Sequence, residues 1–273
     1  MKTVVVAGSF DDIRSSHIRF LEEASKRGNL HVLLWSDETI QRWVGRDPQF
    51  PQAERLYILD AIRYVQRVYL VEGVTNLDEL PAVCDIQPEV WVVEQENDTP
   101  GKRRFCASHN IIYQVINPAE LKGFPVLPAS QDDSRTVQKK VLVTGCFDWL
   151  HSGHIRFFEE TSALGDLYVV VGHDQNIRFL KGNGHPMFSE DERRYMVQSI
   201  RFVKQALIST GHGWMDAEPE IDDIRPDIYA VNEDGDNPEK RAFCEMHGLE
   251  YVVLTRTQKE GLPARESTIL RGF

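Results

Sequence analysis

Apolar and polar positions fall in blocks along the chain. In the second half, Val141–Val143, Leu167–Val171, Ala206–Ile208, Ile228–Val231 and Tyr251–Leu254 are short, nearly unbroken apolar runs, the pattern of strands covered on both faces. Amphipathic stretches lie between them, from about His154 to Leu164, from Ser189 to Ile200 and over Pro238–His247. Ser189 followed by Glu190, Asp191 and Glu192 reads as a helix opening, an N-cap with carboxylates at the positive helix end. Strand and helix alternating at this spacing predict an α/β fold with a parallel sheet and helices on both faces. Ligands of such sheets sit outside the carboxyl ends of the strands.

The first half repeats the second. A shift of 137 residues aligns Val4–Leu34 with Val141–Val171 at 16 identities in 31 positions, and a shift of 138 aligns Pro88–His109 with Pro226–His247 at 9 in 22. That predicts two tandem domains of ordinary size, over residues 1–128 and 139–273. Pro125-Val126-Leu127-Pro128 ends the first copy, and the polar segment 129–138 reads as a linker.

Composition narrows the field. A formal charge of -11 argues against a nucleic-acid partner, which needs a basic face. No apolar run approaches about eighteen residues and no charged-then-apolar leader is present, so neither a membrane span nor a signal peptide is expected. Cys84, Cys106, Cys146 and Cys244 show no C-x-x-C pair and no metal spacing. Cys106 and Cys244 occupy matching positions, as small buried residues would. The expected setting is the reducing cytoplasm.

Chemistry concentrates in the second copy. Gly145-Cys146-Phe147-Asp148-Trp149-Leu150-His151-Ser152-Gly153-His154 links a strand to a helix start, where backbone N–H groups point outward and bind anions. His151 and His154 share one helix face; a zinc site lacks a third ligand at standard spacing. Lys181, in Phe179-Leu180-Lys181-Gly182-Asn183-Gly184-His185-Pro186, is either a solvated loop charge or a phosphate clamp. Near the C-terminus, Ser267 and Thr268 either cap a helix or join Arg271 around outer phosphates. Asp234-Gly235-Asp236 is a turn or a contact to a nucleotide. His173, His185, His212 and Trp214 fall on loops near strand ends, each reading first as surface.

These three segments together resemble the cytidylyltransferase-like superfamily of nucleotidyltransferases. Gly145, Phe147, Asp148, His151, Gly153 and His154 match its G-x-F-D-x-x-H-x-G-H motif in full, and Leu180-Lys181-Gly182 with Pro186 is similar to its lysine loop. Ser267, Thr268 and Arg271 fit its C-terminal segment, whereas Arg265 and Glu266 replace the usual Ile and Ser. The resemblance implies two Rossmann-like domains and transfer of a nucleoside monophosphate from an NTP to a phosphorylated small alcohol or sugar, with pyrophosphate released. It assigns His151, His154, Lys181 and Arg271 to catalysis. Gly145, Cys146, Phe147, Asp148, Gly153, Asp234, Arg256, Ser267 and Thr268 are expected around the nucleotide, with Mg2+ as counter-ion. Arg256-Thr257 followed by Gly261 favours CTP, while the Leu-Lys-Gly loop favours ATP.

In the first copy Arg14 replaces the first histidine, Ser16 the glycine, and Val44 stands near the lysine position; Gly8, Phe10, Asp11 and His17 remain. This copy is expected to be structural. Joined domains suggest a pseudo-dimer within the chain, with Ile62–Val65 and Ile200–Val203 at the joint, or a homodimer. The reading of a different class is an inactive nucleotide-binding or regulatory module.

Overall fold

A computed structural model of the chain describes residues 1–83, 86–127 and 138–270. They form two compact units, Met1–Gly123 and Phe124–Phe273. The division falls ahead of the seam expected after Pro128. Phe124 packs its ring 5.8 Å from that of Tyr195, and its carbonyl accepts from the Arg194 guanidinium at 3.0 Å. Much of the expected linker lies outside the described residues, as does Cys84.

Unit 1 runs β1 (Thr3–Gly8), α1 (Ser15–Ser25), β2 (Asn29–Trp35), α2 (Asp37–Val44), α3 (Gln52–Asp60), β3 (Arg67–Val71), β4 (Val90–Glu94), α4 (Pro100–Ser108) and β5 (Ile112–Ile116). Unit 2 runs β6 (Lys140–Gly145), α5 (Ser152–Ser162), β7 (Asp166–Val171), α6 (Asp174–Lys181), α7 (Glu190–Gln198), β8 (Val203–Ile208), α8 (Glu218–Ile224), β9 (Ile228–Asn232), α9 (Pro238–His247), β10 (Glu250–Leu254) and a final short α10 (Ser267–Leu270). Among the described residues each unit carries one five-stranded sheet, ordered β3-β2-β1-β4-β5 and β10-β9-β6-β7-β8. Every ladder is parallel.

The central strands are buried on both faces: Val4, Val5 and Val6 in β1, and Val141, Leu142 and Val143 in β6, are each at most 1% exposed. That explains why their apolar runs are continuous rather than alternating. Strand order reverses direction at β1/β4 and at β6/β9, which opens a crevice at the carboxyl end of each sheet. The strands and helices expected in unit 2 are present. Helix α8 was not legible, because its sequence Glu218-Pro219-Glu220-Ile221-Asp222-Asp223-Ile224 is acidic and buries only Glu220 and Ile221. The helices end short of membrane-spanning length: among the described residues, none is long and apolar enough to cross a bilayer.

One buried arginine per unit braces the loops at this edge. Arg193, 1% exposed, donates to the carbonyls of Cys146 at 2.7 Å, Gly172 at 2.8 Å and Phe188 at 3.0 Å, and pairs with Asp174 at 2.7 Å. Arg55 does the same in unit 1, with Ser9, Trp35, Phe50 and Asp37. A guanidinium with five fixed donors suits such a convergence of carbonyls.

Candidate active site

The crevice of unit 2 begins where β6 ends. Phe147 adopts a left-handed backbone, φ 50°, which folds its ring back over Gly145; a Cβ on Gly145 would lie 2.7 Å from that ring. The turn delivers Asp148 inward, where Oδ1 accepts the N–H groups of Met187 at 2.7 Å and Phe188 at 3.0 Å. Asp148 therefore ties the segment after Lys181 to the motif. Asp11 holds Gln49 and Phe50 in the same way in unit 1.

Helix α5 opens on His151, whose Nδ1 accepts the Gly153 N–H at 3.1 Å. One turn on, His154 stacks against it, ring centroids 4.0 Å apart at 26°, and Phe147 meets His154 edge-on at 5.3 Å. Gly153 makes this stack fit: a Cβ there would stand 3.0 Å from both Cε1 and Nδ1 of His151. Burial pushes the His151 imidazole down to about 4, helped by the positive charges of Arg256 and Arg265. Burial also takes His154 well below its usual range, with His151, Arg256 and Lys181 pushing the same way and the Trp149 backbone opposing. Both rings are neutral at pH 7, and each then carries one N–H donor. The Nδ1 of His154 is buried and makes no hydrogen bond of ordinary geometry.

These groups line a cleft of about 240 Å3. Gly145, Cys146, Phe147, Asp148, His151, Gly153, His154, Lys181, Asp234, Arg256 and Ser267 all border it, so residues up to 122 positions apart in sequence meet at one place, as 267 against 145 shows. Arg256 spans its mouth, paired with Asp234 at 2.6 Å and donating to the Arg265 carbonyl at 3.1 Å. Ser267 at the start of α10 donates to the Trp149 carbonyl at 3.3 Å. Burial raises the Cys146 thiol, which keeps it protonated and poorly nucleophilic. Arg271 lies outside the described residues, and the side chain of Thr268 is likewise not described.

Further polar groups border the cleft, among them His185, Asn232 and Lys240. Lys240 sits in the first turn of α9, with Nζ on the Gly235 carbonyl at 2.9 Å; burial lowers its pKa, against the pull of Asp236 and Asp234. The buried Oδ1 of Asn232 has no hydrogen-bond partner. The one signal for Lys240 in the sequence was its recurrence as Lys102 in the other copy. A second hollow of about 190 Å3 adjoins, sharing Gly153, Phe157, Asn232 and Arg256 and adding Lys259 and Arg265.

A strand-end crevice, a left-handed Phe after glycine and two stacked histidines at a helix start coincide in this cleft. The family described as Cytidylyltransferase-like matches the chain over residues 5–116 and 142–243. The chain belongs to this family. Both units carry its fold. Among individual proteins, the chain is 38% identical over 125 residues to a FAD synthase of Aciduliprofundum boonei, spanning 45% of this chain and 80% of that protein. It is 37% identical over 125 residues to a FAD synthase of Ferroglobus placidus, spanning 45% and 78%. A protein of Helicobacter pylori named Bifunctional protein HldE is 32% identical over 134 residues, spanning 49% of this chain but 28% of its own length.

In unit 1 the same turn exists but its chemistry differs. Phe10 is left-handed, φ 45°, and Arg14 stands at the N-cap of α1 with its guanidinium on Asp12 at 2.7 Å. The backbone N–H of Arg14 donates to His17 Nδ1 at 3.1 Å. Val44, at the lysine position, is 51% exposed.

Proposed function

We propose that unit 2 transfers a nucleotidyl group from an NTP to a phosphorylated small molecule. The observation that carries this reading is the stacked, neutral His151–His154 pair facing a cleft that Lys181, Lys240 and Arg256 also border. An acceptor phosphate oxygen attacks the α-phosphorus in line; a new P–O bond forms, the bond to the bridging oxygen breaks, and pyrophosphate leaves with that electron pair. Negative charge grows on equatorial and leaving oxygens, so positioning and cationic stabilisation supply most of the rate. His151 and His154 donate N–H groups to phosphate oxygens. In this reading Lys181 offsets charge at the α-phosphate and Arg271 holds the outer phosphates. No covalent nucleophile is needed.

The donor base has two supported readings. The likeness to proteins named FAD synthase, an adenine dinucleotide by its name, favours ATP. The Arg256-Thr257 segment favours CTP. Magnesium is expected as the counter-ion of the triphosphate. Among the described residues no group of three or more His, Cys, Asp or Glu side chains could hold a metal ion. The test follows pyrophosphate release from each NTP with flavin, glycerol, ethanolamine and sugar phosphates. His154→Ala and Lys181→Ala should each lower turnover about 10²–10³-fold with the melting transition kept. Near-normal turnover in either variant overturns the assignment.

A further inference from the structure

The turn after α6 brings a second side chain to the cleft beside Lys181. Lys181 ends α6, and Gly182 and Gly184 turn the chain back with positive φ, 82° and 91°, which glycine adopts without strain. Half-buried His185 then borders the same cleft as Lys181. Just beyond it the chain is pinned. Asp148 accepts the Met187 and Phe188 N–H groups, and Arg193 donates to the Phe188 carbonyl at 3.0 Å. His185 thus sits at the cleft wall on an anchored segment.

Unit 1 shows which parts of this turn are scaffold. Its anchors are kept: Asp11 takes the N–H groups of Gln49 and Phe50, each at 3.0 Å, and Arg55 donates to the Phe50 carbonyl at 2.9 Å. Aligned on those anchors, Pro48 matches Pro186 and Asp47 matches His185. Val44 stands at the lysine position, and Arg46, between them, pairs with Asp11 at 3.2 Å. The anchors persist without the histidine, so the turn does not need it to form. The copy that lacks the stacked histidine pair has also exchanged both cleft-bordering side chains of the turn, one for an apolar and one for an acidic residue. A carboxylate at that place repels phosphate.

The two sides of the unit 2 cleft differ. The adjoining hollow extends it along the C-terminal segment, with Lys259 and Arg265, and gives the ring and sugar of an NTP room. Lys181 and His185 border the cleft but not that hollow, so they line the part left for the acceptor. A phosphate monoester there carries about -1.5 to -2 charges at pH 7, more than one ammonium offsets. We propose that His185 binds the acceptor's phosphate, donating an imidazole N–H to a non-attacking oxygen, with Lys181 shared between that phosphate and the α-phosphate. The pair selects a terminal phosphate monoester over the free alcohol. This inference rests on unit 2 transferring a nucleotidyl group to a phosphorylated acceptor.

Two measurements on the full chain test it. With the phosphorylated acceptor that turns over best, His185→Gln should raise the acceptor KM about 10–100-fold and leave the NTP KM within about twofold. His185→Arg should recover most of that loss. An unchanged acceptor KM, an equal rise in both KM values, or no recovery by arginine overturns the proposal. Binding is also read without turnover. Imidazole 15N–1H signals of the nine histidines, with His185 assigned by His185→Gln, report inorganic phosphate added to the parent. Phosphate should move the His185 signal saturably at millimolar concentration, and less so in Lys181→Ala. A silent His185, whether or not His151 and His154 respond, overturns the proposal even where transfer is observed. A phosphate-responsive His185 in a chain that turns over no acceptor removes the transfer reading and leaves the phosphate site standing.

Discussion

Gly153→Ala separates the catalytic role of the histidine stack from folding. The added Cβ would stand 3.0 Å from two atoms of the His151 ring, closer than ordinary carbon contacts of about 3.5–4.0 Å. The neighbours that fix this ring are the Gly153 N–H on Nδ1 and the His154 face at 4.0 Å. The ring must therefore tilt, and the stack opens with it. Overpacking costs about 1–3 kcal/mol, while alanine in place of glycine within a helix returns up to about 1 kcal/mol. Net stability thus changes little. Activity should not be spared: misplacing one transition-state donor costs about 10²–10³ in rate. Unit 1 supplies the control, since Ser16 is accepted there beside Arg14 rather than histidine. His151→Arg with Gly153→Ser copies that pair and should fold without turnover. Pyrophosphate release gives kcat/KM and calorimetry gives Tm for the same samples. If Gly153→Ala keeps kcat/KM within a few-fold of the parent, the stack is not what the glycine protects.

Acid should weaken unit 2 through its histidines. The folded pKa of His151 is lowered to about 4 from 6.5, so the unfolded chain binds protons that the folded chain excludes. Its stabilising share is full above about pH 6.5 and falls as pH drops toward 4, by ~3 kcal/mol for His151 alone, and His154 adds in the same direction. Urea midpoints at pH 7 and pH 5 should converge for His151→Gln relative to the parent, and identical slopes would remove the burial argument. Asp148→Ala frees the N–H groups of Met187 and Phe188 and should destabilise unit 2 by about 1–3 kcal/mol. An unchanged melting curve would deny Asp148 its bracing role.

Much of this was legible in the sequence because the duplication prints the fold twice. The α/β order, the tandem units and the motif turn all follow from short apolar runs and one glycine-bounded string. What sequence could not give was where polar groups are spent. Asp148 is expected beside the nucleotide and borders the cleft, but its bonds to Met187 and Phe188, 39 and 40 residues along the chain, were not legible. Nothing in the sequence singles out Arg193, although it collects three carbonyls from separate loops. Lys240 joins the cleft only because α9 starts at the β9 edge of the crevice. Such convergence is set by sheet order, which local periodicity does not encode.

The central claim is that one unit does the chemistry and the other does not. Transfer of label from α-32P NTP to a phosphorylated acceptor, measured in parallel for the parent chain, His154→Ala and His17→Ala, tests it most directly. The account predicts transfer by the parent and by His17→Ala, and transfer about 10²–10³-fold slower by His154→Ala. Transfer near the parent's rate in His154→Ala, or its loss in a folded His17→Ala, would contradict it.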